Sequence, residues 1–482
     1  MSDLIDLVAR LRAFQDSRAI PIATHQQVIV QPHALVVAPI AMAGEDTTVH
    51  ALAVGRIGQP AMVQVVPDPR IRDDHYQLLT WFGGILETYY AECRAAGDFP
   101  QIWAASTGAA GHLDTLADRL RFTRENAPVR RAGELLTYVT ERGPIAGQQA
   151  LMTATGALCA HYRTGQPEGE DEHLGALLTW LDSPIPGDLR TALRIAEREV
   201  MGVKTDPEFD RLELQPLVSA YGQARRSGAG AAELAGRAAQ IEALLRPIVL
   251  RIYDGIQRAI GHVDGRWPPA PVLSDLRNYE TNAFASFMGA RDRGLPLPYR
   301  DTPKAAAFKI VERERAAQNL ESGAMYGDTL TQTRALLRGR LLTAQVDQVA
   351  ATRVSLRKTE HRLILRTSQP RLRIRAGDEL ANLDASKLRG VVEAVRRDGA
   401  ETEITLLITA GMRAVGVPVA GDQLRFGAAP PSWGFIGREM SKLQDRLAQT
   451  PWTHARDAQP PAVTPSTRPR PADLLAAVEA MR

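Results

Sequence analysis

Residues 353–380, RVSLRKTEHRLILRTSQPRLRIRAGDEL, decide how this chain is read. Eight cations, Arg353, Arg357, Lys358, Arg362, Arg366, Arg371, Arg373 and Arg375, stand against one acid, Glu360, before Ala376. Side chains alternate across a strand. In RLRIR that alternation puts Arg371, Arg373 and Arg375 on one face and turns Leu372 and Ile374 into a core. Guanidinium groups at strand intervals form a ladder suited to backbone phosphates and poorly suited to reading bases. The eight cations are therefore the candidate nucleic-acid-contacting residues. The competing reading is a solvated outer face, neutralised by acids from elsewhere in the fold.

Beyond this stretch come short β-rich runs separated by turn residues, KLRGVVEAVRRDGAETEITLLITAG at 387–411 and VPVAGDQLRFG at 417–427. Together they predict a small β-barrel over 351–428. The runs resemble the small β-barrel inserted in the motor core of superfamily 1 helicases. The segment PLPYRDTPKAAAFKIVERERAAQ, 296–318, is similar to the region between the nuclease-like domain and the motor in those proteins. The sequence contains no G-x-x-x-x-G-K-[ST] phosphate loop, so the amides and lysine that cradle a nucleotide triphosphate are missing. The resemblance thus implies a non-motor accessory, with the motor on a separate helicase or nuclease polypeptide.

Toward the N-terminus, SDLIDLVARLRAF carries Leu4, Leu7, Val8 and Leu11 at helical spacing. Then come HALVVAPIAMAG (33–44), TTVHALAVGRI (47–57) and AMVQVVPD (61–68), apolar or alternating runs joined by turns, which read as an antiparallel meander. DDHYQLLTWFGGILETYYAEC (73–93) predicts a helix, QIWAAST (101–107) a strand and HLDTLADRLRFT (112–123) another helix. Three strands, a helix, a strand and a helix resemble the ribonuclease-H-like domain ahead of the motor in some bacterial helicase-nuclease proteins. An active member needs carboxylates that share two divalent metals, the first of them within the first strand. That strand, VVAPI, has none. The nearest acids, Glu45 and Asp46, fall in the next turn, and the segment after QIWAAST offers Ser106, His112 and Asp114. A relocated metal site at Glu45, Asp46 and Asp114 is weighed against a polar turn plus a solvated helix position. The second is preferred, so the domain reads as degenerate, with no metal ligand and no catalytic residue assigned.

The middle, 129–350, is expected to be helical: GELLTYVTERG, QQALMTATGALCAHYR, HLGALLTWLD and several longer Ala- and Leu-rich stretches carry apolar stripes. These could build an antiparallel bundle or an arm bracing the barrel. Glu168, Glu170, Asp171 and Glu172 with His173 sit in a Gly- and Pro-containing loop, and such acids are usually solvated. Cys159 and His161 lie two apart on a predicted helix, on different faces, which favours a core cysteine over a zinc ligand or nucleophile. Tyr279, Phe284 and Phe287 are read as core before docking face. The C-terminal region, 429–482, combines a helix, a Pro-rich linker (455–472) and DLLAAVEAMR, where Leu474, Leu475 and Val478 share one side. That short helix is a candidate docking peptide for a partner groove.

Composition bounds the rest. With 482 residues and 44% hydrophobic content the chain can fill several packed domains. Net charge is +3, from 58 Lys and Arg against 55 Asp and Glu, so attraction to polyanions must come from local clustering. Two cysteines without ligand spacing exclude a disulfide scaffold and fit a reducing cytoplasm. The stretch after Met1, with Asp3 and Asp6 and no apolar core, does not resemble a signal peptide, and no apolar run reaches about 18 residues, so no membrane contact is expected. The expected fold class is multidomain α+β: a ribonuclease-H-like α/β domain over 1–128, a helical middle, and a small C-terminal β-barrel. The expected function is a non-catalytic accessory, without cofactor, that binds nucleic acid, DNA first, in DNA processing or antiviral defence against foreign DNA. The alternatives are a metal-dependent nuclease of ribonuclease-H type and a structural adaptor that binds protein partners only.

Overall fold

The computed structural model describes residues 2–124, 126–182, 188–295, 297–298, 300–355, 358–429, 437–451, 455 and 457–460. The chain divides into two units, residues 1–297 with 315–433, and residues 298–314 with 434–482. The first is mixed α+β and ends in a closed barrel. It opens with helix α1 (Ser2–Asp16). The three expected strands follow as β1 (Leu35–Ile40), β2 (Ala51–Arg56) and β3 (Met62–Val65), an antiparallel meander. Helix α2 (Arg72–Ala96) starts with Asp73 and Asp74 in its first turn, where the helix dipole favours acids, and stops at Gly97, whose φ of 67° suits glycine.

Strand β4 (Ile102–Ala104) then returns to the sheet, parallel to β1, with Leu35 opposite Ile102. Helix α3 (Thr107–Leu120) is capped by Ser106, and α4 (Ala127–Arg142) by Asn126. A fifth strand, β5 (Leu151–Thr153), runs parallel to β4 and leads directly into α5 (Ala154–His161). The sheet order is β3-β2-β1-β4-β5. Sequence periodicity placed 151–153 in a helix. A three-residue apolar run has no period of its own, and here pairing with β4 overrides the helical pattern downstream.

Every residue of β1 is buried, as a central strand covered on both faces requires. Pro39 is tolerated inside it because β4 pairs only with Leu35 and Val36, so the strand has already outrun that neighbour. Helix α6 (Leu174–Leu181) leads toward the long helix α7 (Ala231–Val263), which packs across β1, β2 and β3. Its Tyr253 hydroxyl donates to the Arg56 and Gln59 carbonyls at the end of β2. Helix α8 (Leu273–Asp292) is tied to α4 by a buried ion pair, Arg142 Nε to Glu280 Oε2 at 3.0 Å. One hydrophobic cluster runs from Val28 through Met288 and includes Phe82, Tyr89, Tyr90 and Trp103, all fully buried. Burying side chains of this size contributes roughly 1.5–3 kcal/mol each. The helices after residue 129 therefore share the core of the sheet rather than forming a bundle apart from it. Phe284 sits in that core, its ring 5.5 Å from Tyr90, as the packing reading expected.

Helix α9 (Thr329–Leu337) precedes the barrel. Its strands are β6 (Leu342–Ser355), β7 (Lys358–Thr367), β8 (Glu379–Asn382), β9 (Arg389–Asp398), β10 (Glu401–Ala410) and β11 (Gln423–Ala428). Neighbours run β8-β9-β10-β7-β6-β11, and β11 pairs back onto β8 to close the ring. The barrel begins at Leu342, nine residues before the expected boundary at 351, because alternation is already established in LTAQV. Inward Leu363, Leu365, Ile404, Leu406 and Phe426 form its own core. In the second unit the described residues include helix Gly437–Gln449 and the first part of helix Pro303–Met325, where Lys309 pairs with Asp301 at 3.1 Å.

Candidate nucleic-acid interface

On the outer side of strand β7 two of the predicted cations, Arg362 and Arg366, stand four residues apart, and both are spent. Arg362 grips Glu393 on β9 with two hydrogen bonds, 2.8 and 3.0 Å, and reaches Glu360 at 3.4 Å. Arg366 lies 3.3 Å from Asp347 and 3.8 Å from both Glu401 and Glu403. The neutralised-face reading therefore holds for these two, because cross-strand neighbours on one face of a sheet pair opposite charges. Arg353, near the tip of β6, is exposed and has no ion pair among the described residues. Lys358 starts β7, and Arg357 lies outside the described residues.

Arg371, Arg373 and Arg375 are exposed, while Ile374 is buried in the barrel core and Leu372 packs against it. The expected alternation is present, but the expected strand is not: 371–375 is an extended loop that makes no ladder. Its backbone bonds go elsewhere. Arg373 N–H donates to the Gly339 carbonyl at 2.7 Å, and Arg375 N–H to Asp378 Oδ2 at 2.8 Å. Gln369 Nε2 donates to the Leu341 and Arg371 carbonyls at 2.9 and 3.0 Å. None of the three arginines has an ion pair among the described residues. They thus project from a loop stitched to the end of α9, a placement that sequence alternation alone does not reveal.

That stitching brings in residues the sequence reading passed over. Arg334, Arg338 and Arg340 follow one another along RALLRGR, and the i,i+4 spacing of the first two was the available signal. Arg340 pairs with Glu321, whereas Arg334 and Arg338 have no ion pair among the described residues.

At the far end of the β-sheet the acids considered for a metal site are tied down. Glu45 receives the Thr48 hydroxyl and sits 3.0 Å from Arg70 Nε. Asp46 pairs with Lys204 at 2.9 Å, and the same ammonium donates to the Glu45 carbonyl. The turn itself is pinned by Asp210, which accepts from Ala43 N–H at 2.8 Å and from the Thr205 hydroxyl at 2.6 Å. Lys204 and Asp210 are far away in sequence, so spacing gave no warning of either. Asp114 is exposed on α3. Ser106 serves as that helix's cap, and His112 is buried. Burial pushes His50, His75 and His112 down to about 4, so all three are neutral. Among the described residues no group of three or more His, Cys, Asp or Glu side chains could hold a metal ion.

The acidic loop 168–172 is more than a solvated run. Asp171 pairs with Arg10 at 2.5 Å, and Glu172 accepts from Thr107 N–H at 2.8 Å and its hydroxyl at 2.9 Å, capping α3 from outside. His173 Nδ1 accepts from Ala176 N–H as the cap of α6. His161 is fully buried, accepts from Gln27 N–H at 2.9 Å and stacks on Trp267 at 4.9 Å. Burial pushes the Cys159 thiol up to about 12, which leaves it unreactive. Leu474, Leu475 and Val478 lie outside the described residues. Among the described residues no helix is long and apolar enough to cross a membrane.

Fold and geometry define a mixed α+β multidomain chain with a closed six-stranded barrel, bearing arginines that have no ion pair among the described residues. No family model matches the chain, and comparison with curated proteins and with solved structures returns no match.

Proposed function

We propose that this chain is a non-catalytic nucleic-acid-binding accessory of a helicase or nuclease assembly, working in DNA processing or defence against foreign DNA. The observation that carries the reading is the set of exposed barrel arginines, Arg353, Arg371, Arg373 and Arg375, that lack ion-pair partners among the described residues. Unpaired guanidinium groups on a protein that is otherwise near neutral form a local cationic surface, and phosphates are the anions they fit best. The N-terminal sheet is read as a ribonuclease-H-like domain without its chemistry. Supporting that are the element order, with three antiparallel strands, a helix and then β4 parallel to β1, and the acid-free first strand. Glu45 and Asp46 are held by Arg70 and Lys204 instead of facing a shared metal. The barrel is read as akin to the small barrel of superfamily 1 helicases, with the motor supplied by another polypeptide.

Purification of the tagged protein from its native cell, with and without nuclease treatment, tests the partner half of this reading. The expected result is nucleic acid in the untreated sample and a helicase or nuclease polypeptide that survives treatment. Recovery of neither overturns it. The non-catalytic half is tested by incubating the pure protein with single- and double-stranded substrates in Mg²⁺ or Mn²⁺. No cleavage is expected, and metal-dependent cleavage lost in Glu45→Ala/Asp46→Ala contradicts the assignment.

A further inference from the structure

Two arginine-bearing segments distant in sequence are fastened together where α9 meets the barrel. Gly339, with φ of 73°, ends the helix, and a Cβ there would lie 2.8 Å from the Arg371 carbonyl oxygen and 3.2 Å from its Cγ. The contact is therefore close enough to require glycine twice over, for conformation and for space. The chain at Arg371 and Arg373 is thus held against Gly339, the residue that follows Arg338, and Arg334 is one helical turn before Arg338 on the same face of the helix end. Arg334 and Arg338 also line a cleft of about 770 Å³ whose lining includes Arg10 and Arg163.

The charges in the cleft are not equivalent. Arg10 is committed to Asp171 and Asp6, Arg163 to Asp6 at 2.5 Å, and Arg340 to Glu321. Arg334 and Arg338 remain in its lining as cations without an ion pair among the described residues, and Glu168 is the lining acid without one. Resting on the nucleic-acid reading above, we infer that the phosphodiester backbone binds along this seam, from Arg373 and Arg371 across Arg338 and Arg334 into the cleft. The outer face of the β6–β7 hairpin is not the track, because Arg362 and Arg366 already have carboxylate partners.

Fluorescence anisotropy of the full chain with labelled single-stranded DNA and RNA oligonucleotides tests the seam. Arg334→Gln/Arg338→Gln should weaken binding roughly tenfold or more at moderate salt, and Arg362→Gln/Arg366→Gln by less than about threefold. Circular dichroism and melting temperature verify that each variant folds. The charge-retaining Arg334→Lys/Arg338→Lys should recover most of the lost affinity, which a merely structural role would not predict. Whichever oligonucleotide shows the seam-dependent loss names the source of the phosphates. Wild-type binding unaffected by the seam substitutions overturns the seam and leaves the nucleic-acid reading standing. Seam-dependent binding of inorganic polyphosphate with none of either oligonucleotide retains the anion track and overturns the nucleic-acid reading. Binding of no polyanion overturns both.

Discussion

His50, His75 and His112 are held neutral by burial, each pushed down from an ordinary value of 6.5 to about 4. As pH falls below about 6.5 the unfolded chain takes up protons that the folded chain refuses, so stability is full above that value and declines as pH approaches about 4. Each histidine should remove on the order of 2 kcal/mol by the lower end. Urea unfolding between about pH 7.5 and pH 4.5, above the range where paired carboxylates such as Asp6 titrate, should show a steadily falling midpoint; a flat profile contradicts the assignment of buried neutral rings. At this scale the sequence was informative about residue type and poor about partners. The alternation of Arg371, Leu372, Arg373, Ile374 and Arg375 is real, yet any extended backbone alternates, and only the Gly339 carbonyl shows that these residues form a docked loop instead of a strand. Likewise the neutralisation of Arg366 depends on Asp347, Glu401 and Glu403, which sequence distance hides.

Among the elements, α4 and α8 are joined by a bidentate pair with almost no exposure, Arg142 to Glu280, which also receives Gln149 N–H at 3.2 Å. The Arg142 guanidinium lies over the Tyr279 ring, 4.7 Å from its centroid. Removing one partner strands the other's charge in the core. Glu280→Ala is therefore expected to cost about 3–5 kcal/mol, whereas Arg142→Met/Glu280→Leu, which removes both charges, should recover most of that loss. Chemical denaturation of the three proteins measures both values, and a double variant no better than the single one contradicts the account. Long periodic elements such as α2 and α7 were legible from apolar spacing, as were the strands of the meander. Strand β5 was not, since three residues followed at once by a helix carry no strand period, and its existence depends on the open edge of β4.

At the scale of the molecule, the sequence division at residue 128 follows composition, but the core does not: one hydrophobic cluster continues from the meander through α8 to Met288. Helical stretches read in isolation give no sign of which sheet they cover. The barrel was legible because its six strands are consecutive and each supplies its own inward residues. The central claim is that cations left unpaired by that barrel and its neighbours bind phosphates. Affinity for a labelled oligonucleotide, measured across a salt series from about 50 to 300 mM, tests it most directly. Each barrel arginine engaged on a single strand adds about −0.7 to the slope of log K against log[salt], so Arg353→Gln/Arg371→Gln/Arg373→Gln/Arg375→Gln should make the slope shallower than that of the wild type by up to about 3. A slope near zero for the wild-type protein, or one that the fourfold variant leaves unchanged, contradicts the account.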